Sequence, residues 1–231
     1  MHIRNTFAAV LLLAMAVGGT ARATTYQIFT DRTAFLAALT STYLVADFDS
    51  YTADVQFKTT TVDFGPFSAY NPSSTSYGYL DVPPLRDTGS RAPTGNGTPF
   101  LAMVTSSQPG RYAQATLTFD TEITAFGADF FAFNEDFRRN AFFLLGDRID
   151  APINDYNEDV FFGFISDTPF TQLVIAPGAT GVSDGFGVDN IVMQLPPVPL
   201  PLPAFSLLAG LAAFGAFARR TGRESGQPVR A

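Results

Sequence analysis

The chain has 231 residues, with 21 acidic against 14 basic side chains and a net charge of −7. It contains no Cys and no Trp, and its one His is His2. Disulfides, thiol nucleophiles and cysteine zinc sites are excluded; once a leader carrying His2 is removed, so are Ser-His-Asp triads, His zinc sites and His general bases.

The first 23 residues read as a cleavable leader. His2 and Arg4 form a basic start, an apolar run covers residues 7–17, and Ala21-Arg22-Ala23 supplies the small-x-small pattern that signal peptidase needs. The mature chain is expected to begin near Thr24. Residues 24–195 then suit one domain with a sizeable core. That stretch has eight basic and twenty acidic residues, a net charge of −12. Such a surface repels nucleic-acid phosphates and anionic lipid, which sets nucleic acid aside and favours Ca²⁺ or neutral partners.

Residues 26–29 alternate as a strand does, and Thr30 or Asp31 can cap a short helix through about Leu39, with Phe35, Leu36 and Leu39 on one stripe. Short runs rich in Phe, Val, Ile and Thr follow at 44–48, 55–64, 76–82, 100–105, 113–119, 125–133, 141–145, 160–166, 172–176 and 188–195, separated by Gly, Pro, Asn and Asp. This pattern predicts an all-β domain, an antiparallel β-sandwich of jelly-roll type with one short N-terminal helix. Twenty of the 24 Phe residues lie between Phe29 and Phe186. Buried rings contribute ~2–3 kcal/mol each, so phenylalanine is the expected builder of a core that has no disulfides.

Three places carry polar residues beyond what turns require. Asp47 and Asp49 follow an early strand, and Asp189-Asn190 sits in the last one. An acidic residue beside a large apolar one in a strand is costly to bury without a compensating cation. If the two strands are neighbours, Asp47 or Asp49 and Asp189 can share a structural Ca²⁺, with Asn190 supplying a carbonyl oxygen. Asp155, Asn157 and Asp159 have D-x-N-x-D spacing, but Val160 stands where an EF-hand needs Gly and Ser166 where it needs Glu, so the alternatives are a looser Ca²⁺ loop or a solvated turn. Tyr70, Tyr77 and Tyr79 flank a small polar loop with the composition of a sugar-binding surface, aromatic faces beside Asn and Ser. Catalysis by paired carboxylates would fall to Glu122, Glu135 and Glu158, none of which is framed by a recognisable motif.

Residues 196–203 hold five prolines, each with fixed φ and no N–H, and predict an extended polyproline-II rod. Residues 204–218 carry no charge, a stretch of ~22 Å as helix against the ~30 Å hydrocarbon core of a bilayer. Arg219 and Arg220 follow, opening a tail (219–231), and positive charge marks a cytoplasmic side.

This order resembles the PEP-CTERM class of bacterial sorting signals, in the VPLPA-CTERM variant. Val198, Pro199, Leu200, Pro201, Leu202, Pro203 and Ala204 spell VPLPLPA, with Arg219 and Arg220 as the basic stop. The doubled Leu-Pro and the extension from Thr221 onward depart from that pattern. The middle of the chain is similar to the Phe-rich domains found ahead of such tails, most visibly in FFGFISDTPF and DGFGVDN. The resemblance implies a Gram-negative exported protein held briefly in the inner membrane, then processed near its proline signature by an exosortase-type transpeptidase and released to the cell surface or matrix. A non-enzymatic surface protein associated with exopolysaccharide is the leading expectation; a Ca²⁺-stabilised carbohydrate-binding module and a carboxylate glycoside hydrolase or lyase are the others.

Overall fold

The computed structural model describes residues 24–72, 78–81, 97–134, 139–151 and 159–197. The expected leader (1–23), the sorting motif from Val198 onward, the apolar run 204–218 and the basic tail lie outside the described residues. Among the described residues no helix is long and apolar enough to cross a membrane.

Among the described residues the domain is all-β, with twelve strands and one short helix. The strands are β1 (Tyr26–Phe29), β2 (Tyr43–Ala46), β3 (Val55–Gln56), β4 (Val62–Asp63), β5 (Phe67–Tyr70), β6 (Tyr79–Asp81), β7 (Phe100–Ser106), β8 (Ala115–Phe131), β9 (Asn140–Leu144), β10 (Asp147–Asp150), β11 (Asp159–Pro177) and β12 (Ser183–Gln194). Helix α1 (Arg32–Ala38) follows β1. Every strand pairing is antiparallel, and one ladder runs β10-β9-β11-β8-β12-β7-β6-β3, with β1 on β11, β2 on β12, and β4-β5 attached to β8.

The helix starts as the sequence predicts. The Asp31 carboxylate accepts from the Ala34 N–H (2.7 Å), an N-cap that satisfies one of the orphan donors of the first turn. Phe35 is buried, and Leu36 and Leu39 pack with it against the outer face of the sheet.

Two expected pairs of strands are single long ones. The runs 113–119 and 125–133 merge into β8 (17 residues), and 160–166 with 172–176 merge into β11 (19 residues). Exposed Asp120, Thr121 and Glu122 have the composition of a turn, yet the strand passes through them. Each long strand exchanges the face it buries. Leu117 and Phe119 point inward on β8 and then Phe126, Ala128 and Phe130 do; Phe186 and Val188 point inward on β12 and then Ile191 and Met193 do. The inward positions differ by an odd number at each exchange, as from Val188 to Ile191, and the ladders register it as breaks at Ile165/Phe170 and Asp189/Val192. The run 55–64 resolves into β3 and β4, β5 and β10 fall outside the expected runs, and β12 begins at Ser183 because Asp184-Gly185 is strand rather than turn.

Seventeen of the nineteen described phenylalanines are buried, the exceptions being Phe29 and Phe143. Phe142 sits at the centre, stacked on Phe162 (4.9 Å between centroids) and touching Phe126, Phe130, Phe133 and Phe164. On the outer face Gly127 and Gly163 lie opposite one another on β8 and β11 and leave a window for the rings of Phe35 and Phe161. A Cβ on Gly127 would come within 2.7 Å of the Phe161 ring and 2.8 Å of Phe35. Gly127→Ala is therefore expected to cost about 2 kcal/mol by displacing the helix, measured as a lower midpoint in urea unfolding.

Candidate functional site

The adjacency expected of the early and last strands is present. β2 pairs with β12, Ala46 opposite Ile191 and Val45 opposite Val192. Asp47 and Asp49 lie just past the end of β2, both exposed, around Phe48, whose φ of 58° turns the chain so that its ring enters the core. The Asp47 carboxylate accepts from the Asp49 N–H (3.3 Å) and so serves as a turn cap.

Asp189 is 1% exposed and stands opposite Asp129 of β8. Its two oxygens accept from the Asn190 N–H (2.7 Å) and the Thr98 hydroxyl (3.1 Å). Burial pushes its carboxyl up to about 6 from an ordinary 3.8; those two hydrogen bonds oppose the shift, and the charges of Asp49 and Asp129 add to it. Asn190 adopts a left-handed backbone (φ 50°), and its side-chain amide donates to Asp129 (2.9 Å).

Arg32, the first residue of α1, meets all three long strands. Its guanidinium lies 3.1 Å from Asp129 Oδ2, donates twice to the Asn190 carbonyl (3.2 and 3.3 Å), and stacks 5.6 Å from the Phe161 ring centroid. The carbonyl oxygen expected to face a calcium ion faces this cation instead. Among the described residues no group of three or more carboxylates or other ligating side chains is placed to hold a metal. The charge that lets Asp129 and Asp189 share one face is supplied by the protein.

Asp159 joins the same face. Burial and the nearby Asp129 hold its carboxyl above the usual range, and with Asp129, Phe131, Val160 and Phe161 it lines a cleft of about 150 Å³. Asp155 and Asn157 lie outside the described residues. The two acidic stretches that the sequence presents as separate thus converge through Asp129, an outward residue in the alternation of β8.

A second polar cluster lies at the start of β12. Buried Asp184 accepts from the Asn134 N–H (2.9 Å) and the Asn140 side-chain amide (2.6 Å). The Asn140 N–H donates to Asn134 Oδ1 (2.6 Å), and the Thr105 hydroxyl donates to Asn140 Oδ1. Sealed from solvent, this network ties β7, β9 and β12 together. In the tyrosine loop, Tyr70 is half-buried at the end of β5, Tyr79 lies on β6, and Tyr77 falls outside the described residues. Asn71, beside Tyr70, is fully buried; its amide donates to the Val104 and Gln114 carbonyls and accepts from the Val104 N–H, which leaves nothing for a sugar hydroxyl. Glu122 is exposed on β8, while Glu135 and Glu158 lie outside the described residues.

Comparison with known protein families, curated proteins and solved structures gave no match.

A carboxyl whose folded pKa is raised takes up a proton on folding below that pKa, so Asp189 adds stability as pH falls from above 6 towards 4. Replacement by Asn keeps the shape and removes the titration. The stability difference between wild type and Asp189→Asn is expected to change by up to about 3 kcal/mol between pH 7 and pH 4, read by urea unfolding at each pH. Arg32→Ala strands the Asp129 carboxylate and the Asn190 carbonyl and is expected to cost about 2 kcal/mol, with Arg32→Lys between it and wild type because the forked donor pair is lost. The same unfolding series with millimolar Ca²⁺ and with chelator is expected to superimpose.

Proposed function

We propose that this chain is an exported, non-enzymatic surface or matrix protein, its antiparallel β-sandwich of jelly-roll type delivered by the C-terminal proline signature, apolar run and Arg pair. The observation that carries the reading is where the fold ends. β12 stops at Gln194, the Leu195 N–H donates to the Thr42 carbonyl (3.0 Å), and the Ser41 hydroxyl donates to the Leu195 carbonyl (2.6 Å). The Gln194 amide oxygen accepts from the Thr40 and Ser41 N–H groups (3.2 and 3.0 Å). Pro196 follows at once. The chain is therefore pinned at the last residue before the proline run, and no described core residue lies beyond it. A transpeptidase cutting within the signature would leave every strand intact.

The sandwich reading is supported by the long strands. Their changes of buried face let one continuous ladder lie on two sides of the phenylalanine core, and they set an early strand beside the last. The VPLPLPA order supports the sorting reading, with signal peptidase and an exosortase-type enzyme as processing partners and exopolysaccharide as the material the released domain meets.

Intact-mass spectrometry of protein from the culture medium and from membranes tests delivery. The expected species starts near Thr24 and has lost the apolar run after the signature. Recovery solely as a membrane-embedded chain that still carries residues 204–231 would overturn it.

A further inference from the structure

Helix α1 covers the outer face of the sheet over the second half of β8; over the first half of β8 no described residue covers the outer face. There the registers place five outward residues in one row: Arg148 on β10 opposite Phe143 on β9, then Val174 on β11, Thr116 on β8 and Tyr70 on β5. Neighbouring strands lie about 4.8 Å apart, so the row is about 19 Å long. A second row beside it holds exposed Gln172 and Thr118 and half-exposed Ser68. A groove of about 310 Å³, lined by Phe143, Leu145, Thr171, Gln172 and Val174 among others, opens onto one end of this face.

Three observations define what fits it. Phe143 keeps part of its ring in solvent in a chain that buries seventeen of nineteen described phenylalanines, and it makes none of the ring contacts that link the others. Among the described residues the side chains of Tyr70, Thr116, Thr118 and Gln172 have no hydrogen-bond partner; Thr118 and Gln172 are exposed, and Tyr70 and Thr116 are partly so. The one cation of the row is already spent: Arg148 pairs with Asp150 (2.5 Å) and donates to the Gly178 carbonyl (3.0 Å). In a domain of net charge −12 this face is locally neutral. Apolar ring and methyl surface beside hydroxyls and an amide, with the cation of these two rows already engaged, suits stacked sugar rings with their hydroxyls turned sideways; Arg139, the nearest other cation, lies beyond the rows at the Arg148 end.

We propose that the outer face of β10-β9-β11-β8-β5 binds a neutral polysaccharide strand laid across the β-strands, with Phe143 and Tyr70 as the stacking residues and Gln172, Thr116 and Thr118 as the hydrogen-bonding ones. This rests on the proposed surface function, whose exopolysaccharide partner it narrows to a neutral chain and locates on one face.

The test is affinity electrophoresis of the full secreted protein in native gels cast with hydroxyethylcellulose, dextran, galactomannan or xylan, with dextran sulfate as the anionic arm. Retardation is expected in at least one neutral gel and none in dextran sulfate beyond that of a non-binding control. Phe143→Ala is expected to weaken retardation about tenfold. Gln172→Ala and Thr118→Ala, both exposed and so of small folding cost, should each weaken it severalfold with a melting temperature lowered by no more than a few degrees. Equal mobility in every neutral gel, retardation by dextran sulfate alone, or variants retarded as strongly as wild type would overturn the proposal. So would light scattering that shows a dimer broken by Phe143→Ala, since a second copy would then occupy the face. Failure here is separable from failure of delivery: a released, correctly trimmed protein that no gel retards removes only the binding face, whereas a membrane-retained chain that is still retarded removes only the delivery.

Discussion

Two carboxylates set face to face on neighbouring strands are the constraint around which the outer side of this domain is built. The register of β8 and β12 places Asp129 opposite Asp189, a cross-strand arrangement that is unfavourable for like charges. The register itself follows from Asn190, whose left-handed backbone lets β12 exchange its buried face and bring Ile191 and Met193 inward after Val188. The core therefore requires the bulge, and the bulge is where the charges meet. They coexist because Asp189 holds its proton more readily than a free carboxyl, because Thr98 and Asn190 donate to it, and because Arg32 sits on Asp129. Helix α1 is fixed to the sheet by that ion pair as much as by Phe35. Its seven residues would be too few to persist as an isolated helix.

The facing pair at the centre of this cluster, Asp129 and Asp189, is engaged within the protein. A general acid with a carboxyl near 6 needs a substrate within reach, and Asp189 is almost wholly covered with both oxygens engaged. Asp129 is likewise held by Arg32 and Asn190. The described carboxylates thus explain how the face is stabilised and made sensitive to pH.

Much of this was legible in the sequence, and the failures have a common cause. The capping of α1 at Asp31, its Phe35 stripe and the all-β class follow from local chemistry, and local chemistry decided them. The two strands misread as four, β8 and β11, contain Asp120-Thr121-Glu122 and Asp167-Thr168-Pro169, which carry turn composition because the strand is exposed there, not because it ends. For Asp189 the sequence suggested that a buried carboxylate needs a cation. It could not show that hydrogen bonds from Thr98 and Asn190 would serve instead, nor that the cation, Arg32, would sit on the facing Asp129, because helix docking brings it in from far along the chain. Asp184 and Asn71 were hidden for the same reason: each is satisfied by partners from distant strands, so a loop-like composition conceals a core position.

The two halves of β8 give the clearest contrast between what folding demands and what it leaves free. Where α1 covers the sheet, the outward positions Ala125 and Gly127 give dry contact or ring clearance to Phe35 and Phe161, and the outward Asp129 is taken up by Arg32 of the helix. Where nothing in the described chain covers it, the outward positions become Thr116, Thr118, Gln172 and Ser68, as solvent exposure favours, yet Phe143, Val174 and Tyr70 interrupt them in register. Solvation alone would have put polar residues at those places too. Phe143 is one of the two described phenylalanines that are not buried, and it stands among polar neighbours rather than in the core. Phe143, Val174 and Tyr70 are thus the positions on which the proposed binding face rests.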